Sequence, residues 1–491
     1  RDRAEQSEAE ALIAQGLEAE ARLLADEKTK DALVQFERAE TALQTAQANL
    51  DLANRQTALA ERQTIIADNA RLEAENANQI AQQKTEEALQ SFERAQRLLF
   101  LSIAQSMSVK SLQIQDNDLK GLLAQQAFIF NRDYQGLEYD TYIYDGLYHA
   151  MEQIEGDGYN EFKGHKNAIR TLSYANSGSK FYSAGSDGKI IAWDSDDIGA
   201  TPIIIGENQF PNRIIKISPD DKYLVNASDS SYIQVYDLDN IGSDPQKIEG
   251  HSSFVFDIEF LPDNSGFYSV SNDKTIRFND YAKSRVIKNL PSKIKSIDLN
   301  ENGDLMAGAS LNGEVYLINT QNFEERLLYL DSGNIIHSVK FSPDGSTLVI
   351  GNESGNVILL EADNGNPIIE LVGPVARIND IEFSKDGKLL AVASWDGSVY
   401  LWLMEDLNQL PLVFKDNNSH IWDISFSSDG NYLVTGSTKD IIKIWPTNPK
   451  LLADKFCENF NRNMDLKEWD RYVGNEIELM KTCEDFSLSE R

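Results

Sequence analysis

From residue 159 to residue 445 the chain repeats with a period near 42 residues. A period of that length requires a set of like units that bury their apolar faces against each other, not one shared core. Each unit holds a strand of the form apolar-x-x-apolar-x-aromatic and a turn such as Ser342-Pro343-Asp344-Gly345. A strand ending in small residues, an Asp-Gly-type turn and a closing strand follow. The closing strands end at Trp193-Asp194, Tyr236-Asp237, Asn279-Asp280, Ile318-Asn319, Leu360-Glu361, Trp402-Leu403 and Trp445-Pro446. Successive steps are 43, 43, 39, 42, 42 and 43 residues, so there are seven units.

The motifs Gly164-His165, Asp187-Gly188 and Trp193-Asp194 share one unit, and Gly250-His251 and Asp273 share another. In them the chain resembles the WD-repeat β-propeller family. The resemblance implies an all-β, seven-bladed WD-repeat propeller over residues 158–447. Tyr159–Lys163 would add the outer strand of the last blade and so remove the exposed sheet edges. The family's structural His-Ser-Asp-Trp hydrogen-bond chain carries over fully to His165, Ser183, Asp187 and Trp193. His251, Ser269 and Asp273 supply three members with Asn279 in the fourth place, and Asp396 and Trp402 supply two. Where Ile318 and Leu360 replace the Trp, the blades are expected to rely on packing alone and to be less rigid.

Residues 1–106 follow a different rule. They hold no proline, and Ala occupies 13 of 14 positions in one heptad phase from Ala4 to Ala95, with Glu18 the exception. Ala32, Phe36, Ala39, Leu43, Ala46, Leu50 and Ala53 alternate at four and three, a seam that keeps one stripe facing one neighbour. Two readings follow: a long coiled-coil arm for self-association or as a stalk, or a helical hairpin packed on its own chain. A phase change near residues 54–58 marks a stutter or a bend. Residues 107–157 read as a connector with two amphipathic faces, Leu119, Leu122, Leu123, Ala127, Phe128 and Phe130, then Tyr139, Tyr142, Tyr144, Leu147 and Tyr148. These would pack together or serve as a collar for the propeller, with an aromatic ligand groove as the alternative. Residues 448–491 form a short helical tail in which Asp465-x-x-Glu468 predicts a capping box.

The tail segment around Arg462, Asn463, Met464, Trp469, Tyr472 and Cys483 is similar to that of large bacterial multidomain WD-repeat proteins. So are the connector Leu122–Ala127 and the Ala/Glu/Gln/Arg-rich helix. The resemblance implies an upstream STAND-type NTPase or caspase-like signalling domain, and the start at Arg1 fits a piece of something longer. A cytoplasmic setting, possible tethering to a membrane through an absent segment, and Cys457 and Cys483 as thiols belong to that expectation.

The charge and motif content narrows the function. With 46 Lys plus Arg against 78 Asp plus Glu, the formal charge is −32, which disfavours a phosphate-tracking surface and hence nucleic acid. There is no His-Glu-x-x-His, no phosphate loop and no nucleophile elbow, so no enzyme, cofactor or metal is expected. Propellers bind through their faces, and the residue after the first apolar position of each inner strand lies near the channel rim. That rule selects Arg170, Phe256, Lys295, His337, Asn379 and Trp422, with Trp395 added from the tight turns. Large rigid aromatics beside cations suit a protein- or peptide-binding hot spot. The expected function is a non-enzymatic interaction scaffold or sensor that self-associates or relays through residues 1–106. A fixed structural part of a cell-envelope or secretion assembly is the alternative.

Overall fold

The computed structural model describes residues 7, 9, 28–30, 32–48, 67–156, 158–415 and 419–488. They form two units, one of residues 158–451 and one that joins the N-terminal helices to the chain from Leu452 onward.

In the first unit, twenty-eight strands (β1–β28 in chain order) pair into seven four-stranded antiparallel sheets. This is a seven-bladed propeller. The innermost strands are β2 (Ile169–Tyr174), β6 (Asn212–Ile217), β10 (Val255–Phe260), β14 (Ile294–Leu299), β18 (Ile336–Phe341), β22 (Ile378–Phe383) and β26 (Ile421–Phe426). Each touches the next around the ring, and β26 returns to β2. The small residues that end each second strand have a packing cause, because the next blade's first residue lies on them. A Cβ on Gly351 would stand 2.3 Å from Ile378 Cγ2, and one on Gly436 would stand 2.8 Å from Ile169 Cγ2.

The ring closes by pairing its two ends. β1 (Glu161–Lys163) lies antiparallel on β28 (Ile441–Pro446) with Phe162 opposite Ile442, and Asn160 Nδ2 donates to the Ile444 carbonyl at 3.0 Å. Phe162 enters a cluster with Ile169, Phe181, Trp193, Val434 and Ile444, so the first and last blades share one core.

The hydrogen-bond chain forms in the first blade as expected. His165 Nδ1 lies 3.0 Å from Asp187, its Nε2 lies 2.7 Å from Ser183 Oγ, and Trp193 Nε1 donates to the same oxygen at 2.8 Å. In the third blade Asn279 fills the Trp position chemically, its Nδ2 donating to Ser269 Oγ at 2.9 Å. The expectation that other blades rely on packing alone is corrected. Glu314 accepts from Ser292 and Ser310, both at 3.0 Å, Asn352 donates to Asp331 at 2.7 Å, and Tyr400 donates to Asp396 at 2.9 Å. Different side chains satisfy the same buried turn, because a buried polar group left unpaired is costly.

In the second unit, residues 32–48 are helical (α1), followed by α2 (Ala67–Ser111), α3 (Asn117–Asp133) and α4 (Thr141–Glu155). Ala32, Ala39, Ala46, Ala81, Ala88 and Ala95, all of one heptad phase, are buried, and Phe36 lies on Phe92 with ring centroids 4.5 Å apart. The two stretches of the alanine seam therefore face each other within one chain. The described stretches take the hairpin reading rather than that of a long arm. The seam beyond residues 32–48 and 76–106 and the expected phase change lie outside the described residues.

α3 and α4 pack on α2 and on each other. Gly146 permits the approach: a Cβ there would stand 2.1 Å from Ser108 Oγ, which donates to the Tyr142 carbonyl at 2.6 Å. Tyr144, Leu147 and Tyr148 are buried as expected, whereas Tyr142 is 56% exposed. The tail belongs to this unit. Trp469 meets Phe130 edge-on, Thr482 Oγ1 donates to Gln126 Oε1 at 2.7 Å, and Asp465 and Glu468 close the capping box that opens α5 (Leu466–Tyr472). Cys457 and Cys483 are joined in a disulfide, which corrects the expectation of free thiols. Closing a loop of this length restrains the unfolded chain by about 3 kcal/mol.

Candidate functional site

Each inner strand begins with a β-bulge. The register slips between Ile169 and Thr171, Asn212 and Ile214, Val255 and Asp257, Ile294 and Ser296, Ile336 and Ser338, Ile378 and Asp380, and Ile421 and Asp423. A bulge leaves one residue out of the ladder and re-aims its side chain. Those seven residues are Arg170, Arg213, Phe256, Lys295, His337, Asn379 and Trp422. All seven line one cavity of about 320 Å³ at the channel mouth.

The structure thus brings together six of the seven residues selected from the sequence. The seventh, Trp395, stands beside them: its ring meets Trp422 edge-on at 5.7 Å and stacks on His420 at 4.9 Å. The rule missed Arg213 because Asn212 holds the place of the first apolar residue. The period would have found it, since 43-residue steps separate Arg170, Arg213 and Phe256. Arg377 and Phe254, each just before an inner strand, were missed as well. Arg377 lies 3.4 Å over the Trp395 ring, and Arg213 lies 4.0 Å over Phe254.

The mouth is cationic and aromatic. Arg170 donates to Ser186 at 2.8 Å, Arg377 donates to Asn379 at 2.9 Å, and Asn379 in turn donates to the Ile421 carbonyl at 2.6 Å. Arg213 pairs with Asp229, and His337 bonds Glu353. Burial lowers Lys295 to about 8 against the pull of Asp257, and the nearby Arg213, Arg377 and Arg170 push the same way. Burial likewise lowers His337 to about 4, although the Glu353 bond opposes it. The indole nitrogens Trp395 Nε1 and Trp422 Nε1 are buried and have no hydrogen-bond acceptor in the protein. Buried donors are rarely left so, and two at one mouth are an unmet demand for an acceptor.

One layer deeper the side chains tie blade to blade. Asp423 accepts from the Leu172 N–H at 2.6 Å, Asp257 from Ile297 at 2.9 Å, and Thr171 Oγ1 from Ile215 at 3.1 Å. Burial pushes Asp423 well above the carboxylate range, helped by the charge and hydrogen bond of Asp380. Deeper still, Lys340 pairs with Asp298 at 2.8 Å and Lys216 with Glu259 at 3.3 Å. Burial raises Glu382 to about 8, with the Asp380 charge adding to it. A raised pKa means that Glu382 contributes stability below its unfolded value, which is lost as pH rises toward 8. Glu382→Gln is therefore expected to flatten the loss between about pH 4.5 and 8 and to gain on the order of 2 kcal/mol at neutral pH. Urea titrations of both proteins at pH 5 and pH 8 check this, and parallel losses would refute it.

Among the described residues no group of three or more His, Cys, Asp or Glu is placed to hold a metal ion. The channel carboxylates are engaged by blade-to-blade backbone bonds and lysines. What the mouth offers is donors, cations and aromatic faces.

Comparison with known proteins places this geometry. The family described as "WD domain, G-beta repeat" matches residues 157–194 and 242–280, each running from the outer strand of one blade through the first three strands of the next. Two segments of the propeller thus match WD repeats. Residues 301–462 also match the family described as "Eukaryotic translation initiation factor eIF2A". Among individual proteins, the chain is similar to the serine-threonine kinase receptor-associated protein of Mus musculus. The two are 23% identical over 243 residues, covering 41% of this chain and 69% of that one. Pre-mRNA-processing factor 17 of Homo sapiens is 27% identical over 202 residues, covering 38% of this chain and 34% of that one. The transcriptional corepressor LEUNIG_HOMOLOG of Arabidopsis thaliana is 26% identical over 179 residues, covering 35% of this chain and 22% of that one. These are eukaryotic WD-repeat proteins, so the expected resemblance to bacterial STAND-type signalling proteins is corrected. No helix among the described residues is long and apolar enough to cross a membrane.

Proposed function

We propose that the chain is a non-enzymatic scaffold whose WD-repeat propeller receives a segment of a partner protein at the bulge-lined mouth. The observation that carries this reading is the pair of orphan indole donors, Trp422 Nε1 on the cavity wall and Trp395 Nε1 on the ring packed edge-on against it, with cations beside both. A peptide backbone supplies the carbonyl acceptors they lack, and rigid aromatic rings gain contact area at small entropic expense. Similarity to other WD-repeat propellers supports an interaction role in general. Self-association or relay through residues 1–106 is the finer part of the proposal. The described stretches of the seam, Ala32 to Ala46 and Ala81 to Ala95, are used within the chain, so association through those stretches has to use their other faces. A cytoplasmic setting belongs to the proposal, and the Cys457–Cys483 disulfide is the feature that opposes it.

The test is a selection of displayed random peptides on the full chain, followed by affinity measurements on Trp395→Ala and Trp422→Ala. Each substitution is expected to weaken the selected peptides about 30-fold, the effect of losing a hot spot of about 2 kcal/mol. Peptides that bind both variants as well as the parent would place recognition elsewhere and remove this reading. Sedimentation velocity with and without a selected peptide tests the relay, which an unchanged association state would remove.

A further inference from the structure

The chain carries 78 acidic side chains against 46 basic ones. A lysine or arginine left without a carboxylate therefore needs a reason. Among the described residues, Arg170, Lys295 and Arg377 have no carboxylate within ion-pair distance, and all three face one cavity. Arg170 and Arg377 flank one ring, their guanidinium carbons 5.5 and 5.7 Å from the Trp422 centroid, while Lys295 lies 5.1 Å over Phe256. The cations are held on hydroxyl, amide and aromatic groups, which orient them without neutralising them. The three carboxylates that line the same cavity are committed elsewhere: Asp257, Asp380 and Asp423 each accept a backbone N–H group of the neighbouring blade. Burial, helped by the neighbouring Asp380, pushes the Asp423 carboxyl up.

We infer that the mouth selects an anionic side chain of the bound segment, a carboxylate or a phosphoryl group, placed between Arg170, Arg377 and Lys295. This rests on the peptide-binding reading above and adds the chemistry of the ligand. Guanidinium forks suit both anions bidentately. The aromatic faces of Trp395 and Trp422 then take the residue next to the anion, and the exposed Val375 extends that apolar edge, its N–H bonded to Asp396 in the turn after Trp395. The mouth is positive on a molecule that is negative overall, so an anionic segment is drawn to this spot and repelled from the rest of the surface.

The test uses fluorescein-labelled peptide mixtures with degenerate neutral flanks and one fixed central residue: Glu, phosphoserine, Ser or Lys. Anisotropy against the full chain is expected to rank the Glu or phosphoserine mixture about ten- to a hundred-fold tighter than the Ser mixture, with Lys weakest. Arg170→Gln and Arg377→Gln should each remove most of that advantage, as should added salt, with thermal melts checking that both variants fold. Phosphoserine well above Glu identifies a phosphoryl source, and parity identifies a carboxylate. Equal binding of the Ser or Lys mixtures, or an advantage that survives both arginine substitutions, overturns the inference. If the Ser mixture binds and Trp395→Ala abolishes that binding, peptide recognition stands and only its anion preference falls. If no mixture responds to Trp395→Ala, both readings fall.

Discussion

Phe162→Ala is expected to lower the unfolding free energy of the propeller by about 3–5 kcal/mol, the range for emptying a large aromatic site in a packed core. Phe162 is buried and meets Phe181 at 5.0 Å and Trp193 at 5.6 Å, both edge-on. It also sits on β1, a strand of three residues whose partner β28 comes from the far end of the propeller. The substitution therefore opens a cavity between the first and last blades and weakens the strand that latches them. A ring that loses its latch exposes the edge of β28, so aggregation should accompany the loss. Urea unfolding followed by tryptophan fluorescence measures it, because Trp193 and Trp445 lie beside the joint. A loss under about 1 kcal/mol would mean that closure does not depend on this strand.

Asp187→Ala should cost the first blade a comparable amount, about 3–5 kcal/mol, because it removes one partner of a buried pair. Asp187 accepts from the backbone N–H of Lys166 at 2.9 Å and of Lys189 at 3.1 Å, and bonds His165 at 3.0 Å. Without it, the buried His165 ring loses its Nδ1 partner and the Lys166 and Lys189 N–H groups lose their acceptor. Asp187→Asn keeps the shape and should lose less, which separates packing from charge. Burial works to raise the Asp187 carboxyl, but the Lys166 N–H and His165 outweigh it and hold it low. Asp273 in the third blade is held at about 2 in the same way, burial being outweighed by bonds from Thr275, Ser252 and His251. A depressed carboxyl contributes stability above its unfolded pKa and loses it as pH falls through the folded value. Wild type should therefore soften between about pH 4 and 2, and Asp187→Ala should show a shallower acid limb. An acid limb identical in both proteins would show that the pair does not contribute.

The seven-fold repeat was fully legible because blade architecture is local: turns, alternation and small-residue strand ends recur in every unit. The closing strand was legible too, since Phe162 and its neighbours precede the first Gly-His with nothing else to pair. The mouth was legible by position, because a bulge at a fixed place in each blade aims one residue per blade at the channel. Arg213 escaped the apolar rule that found the other six, and Arg377 escaped because it precedes its strand. Which cations lack a carboxylate is a matter of neighbours in adjacent blades, some 40 residues apart in sequence. Periodicity cannot report that.

The alanine seam shows where sequence stops. A strict heptad demands a partner helix but does not say whose, because the same small-residue stripe suits a second copy or a second stretch of its own chain. Contact between Phe36 and Phe92 decided for the latter. The disulfide was decided in the same way: two cysteines 26 residues apart become a bond only once the tail folds back past Trp469 to bring Cys483 to Cys457. Sequence by itself determined the blade, the blade count and the closure, because each follows from patterns within about one repeat length. Tertiary structure alone decided helix partners, channel charge and orphan donors, because these depend on groups that meet only when distant segments have packed.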